Sequence, residues 1–208
     1  MEFVTKSHRN GDIILAEERH ATIYEEIKAV IGGISDADIW KKHEEKYSKK
    51  MSLSYAINDL LKERFVAKGW LKEAPIFQGD EYAHENKWRL DFAKDSVSIE
   101  VAFNHGEAIA WNLLKPVLAS EINHVKKAIQ TEVGVVICAT KALKQAGAFD
   151  GAVGEFEKVC RYLIPLSTVL TAPMLIIGLE PPKTFRVTKN KVNGRNIGRI
   201  SAIKTVSL

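Results

Sequence analysis

The 208 residues suffice for one well-buried domain or two small ones, and 46% hydrophobic with 27% charged residues is the balance of an ordinary globule. A net charge of +4 permits nucleic-acid binding without demanding it, and two cysteines are too few for a disulfide framework. No apolar run is long enough for a transmembrane helix, and MEFVTKSHRNGD lacks the apolar stretch of a secretory signal, so the expectation is a cytoplasmic protein. We expect a single domain over residues 1–208, with a helical region in 1–50 and a basic segment in 183–208.

From Asp12 to about Ala67 the chain reads mainly as helix. Ile13, Ile14, Ile23, Ile27, Val30 and Ile31 recur at near-helical spacing, and Gly32-Gly33 is a stop signal. KKHEEKYSKKM, Lys41 to Met51, mixes both charge signs with little apolar content, as a solvated helix face or a loop does; a DNA-facing arm is the lesser reading. In SLSYAINDLLKERFVAKGW, Ser52 or Ser54 offers an N-cap, Ile57, Leu60, Leu61 and Phe65 share a face, and Gly69 ends the helix. Glu73 falls just beyond that end, and Pro75, Gly79 and Asp80 mark a loop.

KWRLDFAKDSVSIEVAFN, Lys87 to Asn104, reads as a β-hairpin. Trp88, Leu90 and Phe92, then Val97, Ile99, Val101 and Phe103, alternate with polar residues at period two, which predicts one buried face. The other face carries Arg89 and Asp91 on one arm and Ser98, Glu100, Ala102 and Asn104 on the other. A turn at Asp95-Ser96 sets Asp91 across from Glu100, with Cβ atoms roughly 4.5–5.5 Å apart. Such a pair repels unless a cation joins it, and Mg²⁺ suits two carboxylates. The alternative is a surface hairpin whose acids are neutralised by Arg89 or Lys87.

Ile109, Leu113, Val117, Leu118, Ile122, Val125 and Ile129 suit one long helix or two split near Pro116, with apolar surface to spare for a second subunit. VGVVICAT (Val133 to Thr140) and PMLIIGL (Pro173 to Leu179) read as central strands covered on both faces. Lys141 to Ala146 and Val153 to Leu170 read as helices around a GAFDG loop, with a break at Pro165. The order implies an α/β fold with a mixed sheet flanked by helices. After Pro181-Pro182 there is no acid, while Lys183, Arg186, Lys189, Lys191, Arg195, Arg199 and Lys204 surround an Asn193-Gly194 turn. A basic hairpin suits DNA phosphates or guanine edges, although a merely solvated segment has the same composition.

LDFAKDSVSIEVAFN, preceded by AINDLLKERFVAKGW, resembles the type II restriction endonucleases of the BglII and BstYI group in the PD-(D/E)XK nuclease superfamily. The resemblance runs from about Ser52 to Leu179. It implies a restriction-endonuclease-like mixed β-sheet and a homodimer that cleaves a palindromic site in duplex DNA, often with a GATC core. It also implies a cognate DNA methyltransferase. On the same footing, Asp91 and Glu100 would bind Mg²⁺ with the backbone carbonyl of Val101. Glu73 would occupy the polar active-site position at the end of the preceding helix.

One position departs from that pattern. The superfamily usually carries Lys two residues after the second acid, and the BglII-like enzymes carry Gln, but here the residue is Ala102. Lys94, Asn104, His105, Glu107 or Lys115 could supply the role, the cation and phosphate could manage alone, or the protein could be inactive. The reading we carry forward is Mg²⁺-dependent hydrolysis of a DNA phosphodiester by in-line attack of an activated water, with Glu73 as a further ligand or water-orienting group. Asn104 and His105, where the active-site strand exits, suit contact with the duplex or a turn. Arg186, Lys189, Lys191, Arg195 and Arg199 suit the DNA backbone or bases. The rival is a catalytically inactive DNA-binding dimer that retains the nuclease fold.

Overall fold

The computed structural model describes residues 1–83, 85–122 and 124–203. It opens with a strand that composition does not announce, β1 (Phe3–His8), followed by α1 (Gly11–Ala16), α2 (Glu18–Gly32), α3 (Asp36–Lys46) and α4 (Ser54–Ala67). α2 stops at the expected glycines. The charged 41–51 stretch is divided: its first half completes α3, which buries Ile39 and His43. The cap expected for α4 is absent, because Leu53 holds that position and the Ser52 and Ser54 hydroxyls bond each other at 2.6 Å.

Next come β2 (Leu71–Pro75), the short helix α5 (Asp80–Ala83), β3 (Arg89–Lys94) and β4 (Val97–Ala102). Then follow α6 (Ile109–Ser120), β5 (Val133–Ala139), α7 (Lys141–Ala146), α8 (Phe156–Leu163), β6 (Met174–Leu179), β7 (Phe185–Val192) and β8 (Arg195–Ala202). α6 keeps Pro116 inside it, but ends well before Ile129. The helix expected over Val153 to Leu170 forms only as α8.

Six strands make one sheet in the order β1-β6-β5-β4-β3-β2. β4, β5 and β6 are parallel, whereas β1, β3 and β2 add antiparallel, so the sheet is mixed. Its centre is covered on both faces: Val133, Val135, Ile137 and Ala139 of β5 join one core with α2 and α4, while Val136 and Cys138 join another with α6 and α8. That period-two division explains why β5 reads as a continuous apolar run. Of the apolar residues expected to have surface to spare, Ile109, Leu113 and Val117 lie in the second core, whereas Ile122 just beyond α6 is exposed. Close packing of α6 depends on Gly134 of β5, where a Cβ would lie 2.5 Å from that of Pro116. Among the described residues, no helix is long and apolar enough to cross a membrane.

Candidate active site

The β3–β4 hairpin turns through Asp95-Ser96 and pairs Lys94 with Val97, Ala93 with Ser98 and Phe92 with Ile99. Regular pairing stops there. At the next step the side chains take over: the Asp91 amide donates to Glu100 Oε1 at 3.2 Å, and the Val101 amide donates to Asp91 Oδ2 at 2.7 Å. The two predicted acids therefore meet where β3 parts from β4. The expected alternation also breaks here, because Phe92 packs into the core around Phe65 while Leu90 joins Ala74, Ile76, Phe77 and Ala119.

The acids do not lie on an open face. Glu100 is only 2% exposed, with Ser98 and Ala102 of the same strand face also buried. Burial, then repulsion from Asp91, raises the Glu100 pKa to about 8, and Lys115 opposes the rise. Asp91 is also raised, chiefly by burial, with the Val101 amide and Lys115 pulling the other way and Glu73 adding to the rise. Lys87 pairs with Glu85. The charge beside Glu100 is the Lys115 ammonium of α6, which contacts Glu100 Oε2 and donates to the Arg89 carbonyl at 3.1 Å.

Glu73 is not at a helix end. It lies in β2 with φ 52, exposed, and in line with Asp91 between the pairs Lys72 with Phe92 and Ala74 with Leu90. Its charge reaches Asp91, but among the described residues no three His, Cys, Asp or Glu side chains gather closely enough to hold a metal. The candidate donor set is thus two carboxylates and a main-chain carbonyl. The Val101 amide points at Asp91, and since N–H and C=O of one strand residue share an edge, its carbonyl faces the same gap. The Phe103 amide uses one of its lone pairs at 3.2 Å. An all-oxygen set with paired negative charge fits a hard divalent cation such as Mg²⁺.

The other sequence candidates separate clearly. Lys94 turns away to Glu26 Oε1 at 2.9 Å and the Lys68 carbonyl at 2.8 Å. Asn104 exchanges amide hydrogen bonds with buried Asn112, the shorter at 2.8 Å, while His105 and Glu107 are exposed. His105 bridges to Val153, and the Asn104 carbonyl accepts from Gly154. Arg186, Lys189, Lys191, Arg195 and Arg199 are exposed on the β7–β8 hairpin, whose Asn193-Gly194 turn has positive φ at both residues, as a tight hairpin requires. Lys189 Nζ reaches the Phe149 carbonyl at 3.1 Å, and the Phe149 ring meets Phe103 edge-on at 5.6 Å. The middle of the hairpin and the exit of β4 therefore adjoin through the 149–154 loop. Lys204 lies outside the described residues.

A mixed six-stranded sheet flanked by helices is a restriction-endonuclease-like α/β fold. The profile of the family "Restriction endonuclease BglII/BglIII" matches residues 3–179, and the chain belongs to that family of site-specific deoxyribonucleases. Among solved structures, a crystal structure of restriction endonuclease BglII complexed with a DNA 16-mer has a TM-score of 0.66 at 18% identity, covering 98% of this chain and 90% of that one. A crystal structure of free BglII has a TM-score of 0.53 at 13% identity, covering 98% and 93%. At these identities the structural likeness carries the fold. No curated protein sequence matches the chain.

Proposed function

We propose that this type II restriction endonuclease acts on duplex DNA as a homodimer, hydrolysing phosphodiesters at a short palindrome, with Mg²⁺ as cofactor. The observation that carries the reading is the meeting of Asp91 and Glu100 beside the Val101 carbonyl, in the gap between β3 and β4. These groups would hold the cation. When bound, Mg²⁺ polarises phosphate oxygens and lowers the pKa of water. Buried Glu100 fixes one side of the site, and Asp91 is oriented by the Val101 amide. Glu73, exposed and close enough for its charge to reach Asp91, orients solvent rather than binding the cation directly.

The BglII structure with a DNA 16-mer supports duplex DNA as the ligand. His105, Lys189 and the exposed Arg186, Lys191, Arg195 and Arg199 would line its path, with Asn104 held by Asn112 to shape the strand exit. One nuclease domain over residues 1–208 includes the helical N-terminal region and this basic segment. A cognate methyltransferase follows from restriction chemistry, since host sites need protection.

A second reading, a DNA-binding dimer without catalysis, draws on Lys115 already answering Glu100. Incubation of duplex DNA carrying all short palindromes, GATC-centred ones included, separates the two. The nuclease reading expects discrete fragments with Mg²⁺ and none from Asp91→Asn, which still shifts the DNA. Intact DNA shifted by the natural chain at every Mg²⁺ concentration would establish the binding module instead.

A further inference from the structure

Position 102, two residues after Glu100, offers the site no polar group. Ala102 carries no polar atom and is packed in the core that includes Ile109, Leu113 and Val117. The charge missing from the strand is present beside Glu100 from another element. Lys115 is 8% exposed, a degree of burial that lysine rarely adopts without a partner. Its ammonium bridges the two separating strands, touching Glu100 of β4 and the Arg89 carbonyl of β3. Its backbone is held from several sides. Pro116, the next residue, lies so close to Gly134 that α6 has little freedom to lift, and Asn112, one turn earlier, is locked to Asn104.

We infer that Lys115 is a catalytic residue delivered from α6, whose ammonium meets the scissile phosphate beside the Asp91–Glu100 pair and takes over the task that residue 102 cannot perform. This deepens the nuclease reading and rests on it. Were the acid pair to hold a divalent cation, the Lys115 ammonium would be released from Glu100, would keep the Arg89 carbonyl and would turn a free N–H toward a non-bridging phosphate oxygen. Lysine has three donors, enough to do both. It transfers no proton. The water oxygen bonds to phosphorus and its proton passes to solvent, while the bridging P–O bond breaks and the leaving oxygen takes up a proton from solvent. What Lys115 supplies is stabilisation of the negative charge that grows on the phosphoryl group. The competing role is that of a counter-ion for Glu100, and it makes a different prediction: a saturating cation would replace the ammonium, and its removal would cost nothing.

The test is Lys115→Met, with Asp91→Asn in parallel, at saturating duplex and Mg²⁺. Salt dependence of binding is measured in Ca²⁺. The inference expects kcat to fall on the order of 100-fold without recovery at higher Mg²⁺, as when one donor to a developing oxyanion is removed. It also expects the slope of log affinity against log salt to become shallower by about 0.9, the change for one phosphate that the protein no longer neutralises. Natural kcat and slope in Lys115→Met, while Asp91→Asn is inert, overturn the role of Lys115 and leave the nuclease reading intact. Natural cleavage by Asp91→Asn overturns the nuclease reading and this inference with it. If Lys115→Met does not fold, Lys115→Arg takes its place: it keeps the charge, but its forked guanidinium cannot hold the same point contacts. It is expected to lower kcat, because the charge is kept but its contacts are misplaced; natural kcat in that variant overturns the inference.

Discussion

At the scale of single residues, the site is a balance of three charges in a buried space. Asp91 and Glu100 repel each other and Lys115 answers Glu100, so the geometry of one side chain depends on the other two. The acids were legible in the sequence because a two-residue turn fixes their register by simple counting. Lys115 was legible only as one of five polar candidates. Its selection depends on how α6 is rotated against the sheet, which local periodicity does not specify. The burial of Glu100 was also hidden, since an alternating strand looks the same whether its polar face meets water or a helix. The structure now decides the effect of a long side chain at position 102. Ala102→Lys adds three carbons and an ammonium in the packed core of Ile109, Leu113 and Val117. It should destabilise the protein by about 1–3 kcal/mol, the usual range for overpacking, and lower cleavage. Urea denaturation and single-turnover cleavage check this; an Ala102→Lys protein of natural stability and higher rate would mean that the space beside Glu100 is open.

At the scale of elements, β3 and β4 declared themselves through alternation and β5 and β6 through their apolar runs, but β1 did not. FVTKSH has exposed Val4, Thr5 and Lys6, and it becomes a strand only because its register with β6, more than a hundred and sixty residues away, supplies backbone partners. The basic hairpin was legible through its turn and lack of acids, whereas its anchoring was not: Phe185 and Val187 belong to the main core. Deleting the segment would therefore remove core as well as charge. Neutralising Arg186, Lys191, Arg195 and Arg199 together as Gln isolates the charge, since these side chains are exposed. If all four meet phosphates, the salt slope should fall by about 0.9 for each, with circular dichroism unchanged. An unchanged slope would identify the hairpin as a solvated surface.

At the scale of the whole molecule, the hairpin lies beyond the residues matched by the family profile, yet it is built into the body. Gly198 of β8 sits where a Cβ would approach the Met51 carbonyl to 2.3 Å, and its amide donates to the Lys50 carbonyl at 3.0 Å. His43 of α3 is buried beneath the same strand, and burial lowers its pKa, opposed less strongly by the Gly198 backbone. The unfolded chain therefore binds the His43 proton more readily than the folded one. Stability from this group is present above the ordinary histidine value near 6.5 and is lost as pH falls through the window below it. Urea midpoints at several pH values should decline more steeply on acidification for the natural chain than for His43→Leu; parallel curves would mean that His43 has no part in the pH dependence. The central claim remains that the acids at the fork of β3 and β4 make the family fold an active, cation-dependent nuclease. Its most direct measurement is sequencing of the ends produced from duplex DNA by the natural chain and by Glu100→Gln, each with Mg²⁺ and with EDTA. Ends at one short palindrome are expected, from the natural chain with Mg²⁺ alone. Site-specific ends from Glu100→Gln at the natural rate, or from the natural chain in EDTA, would contradict it.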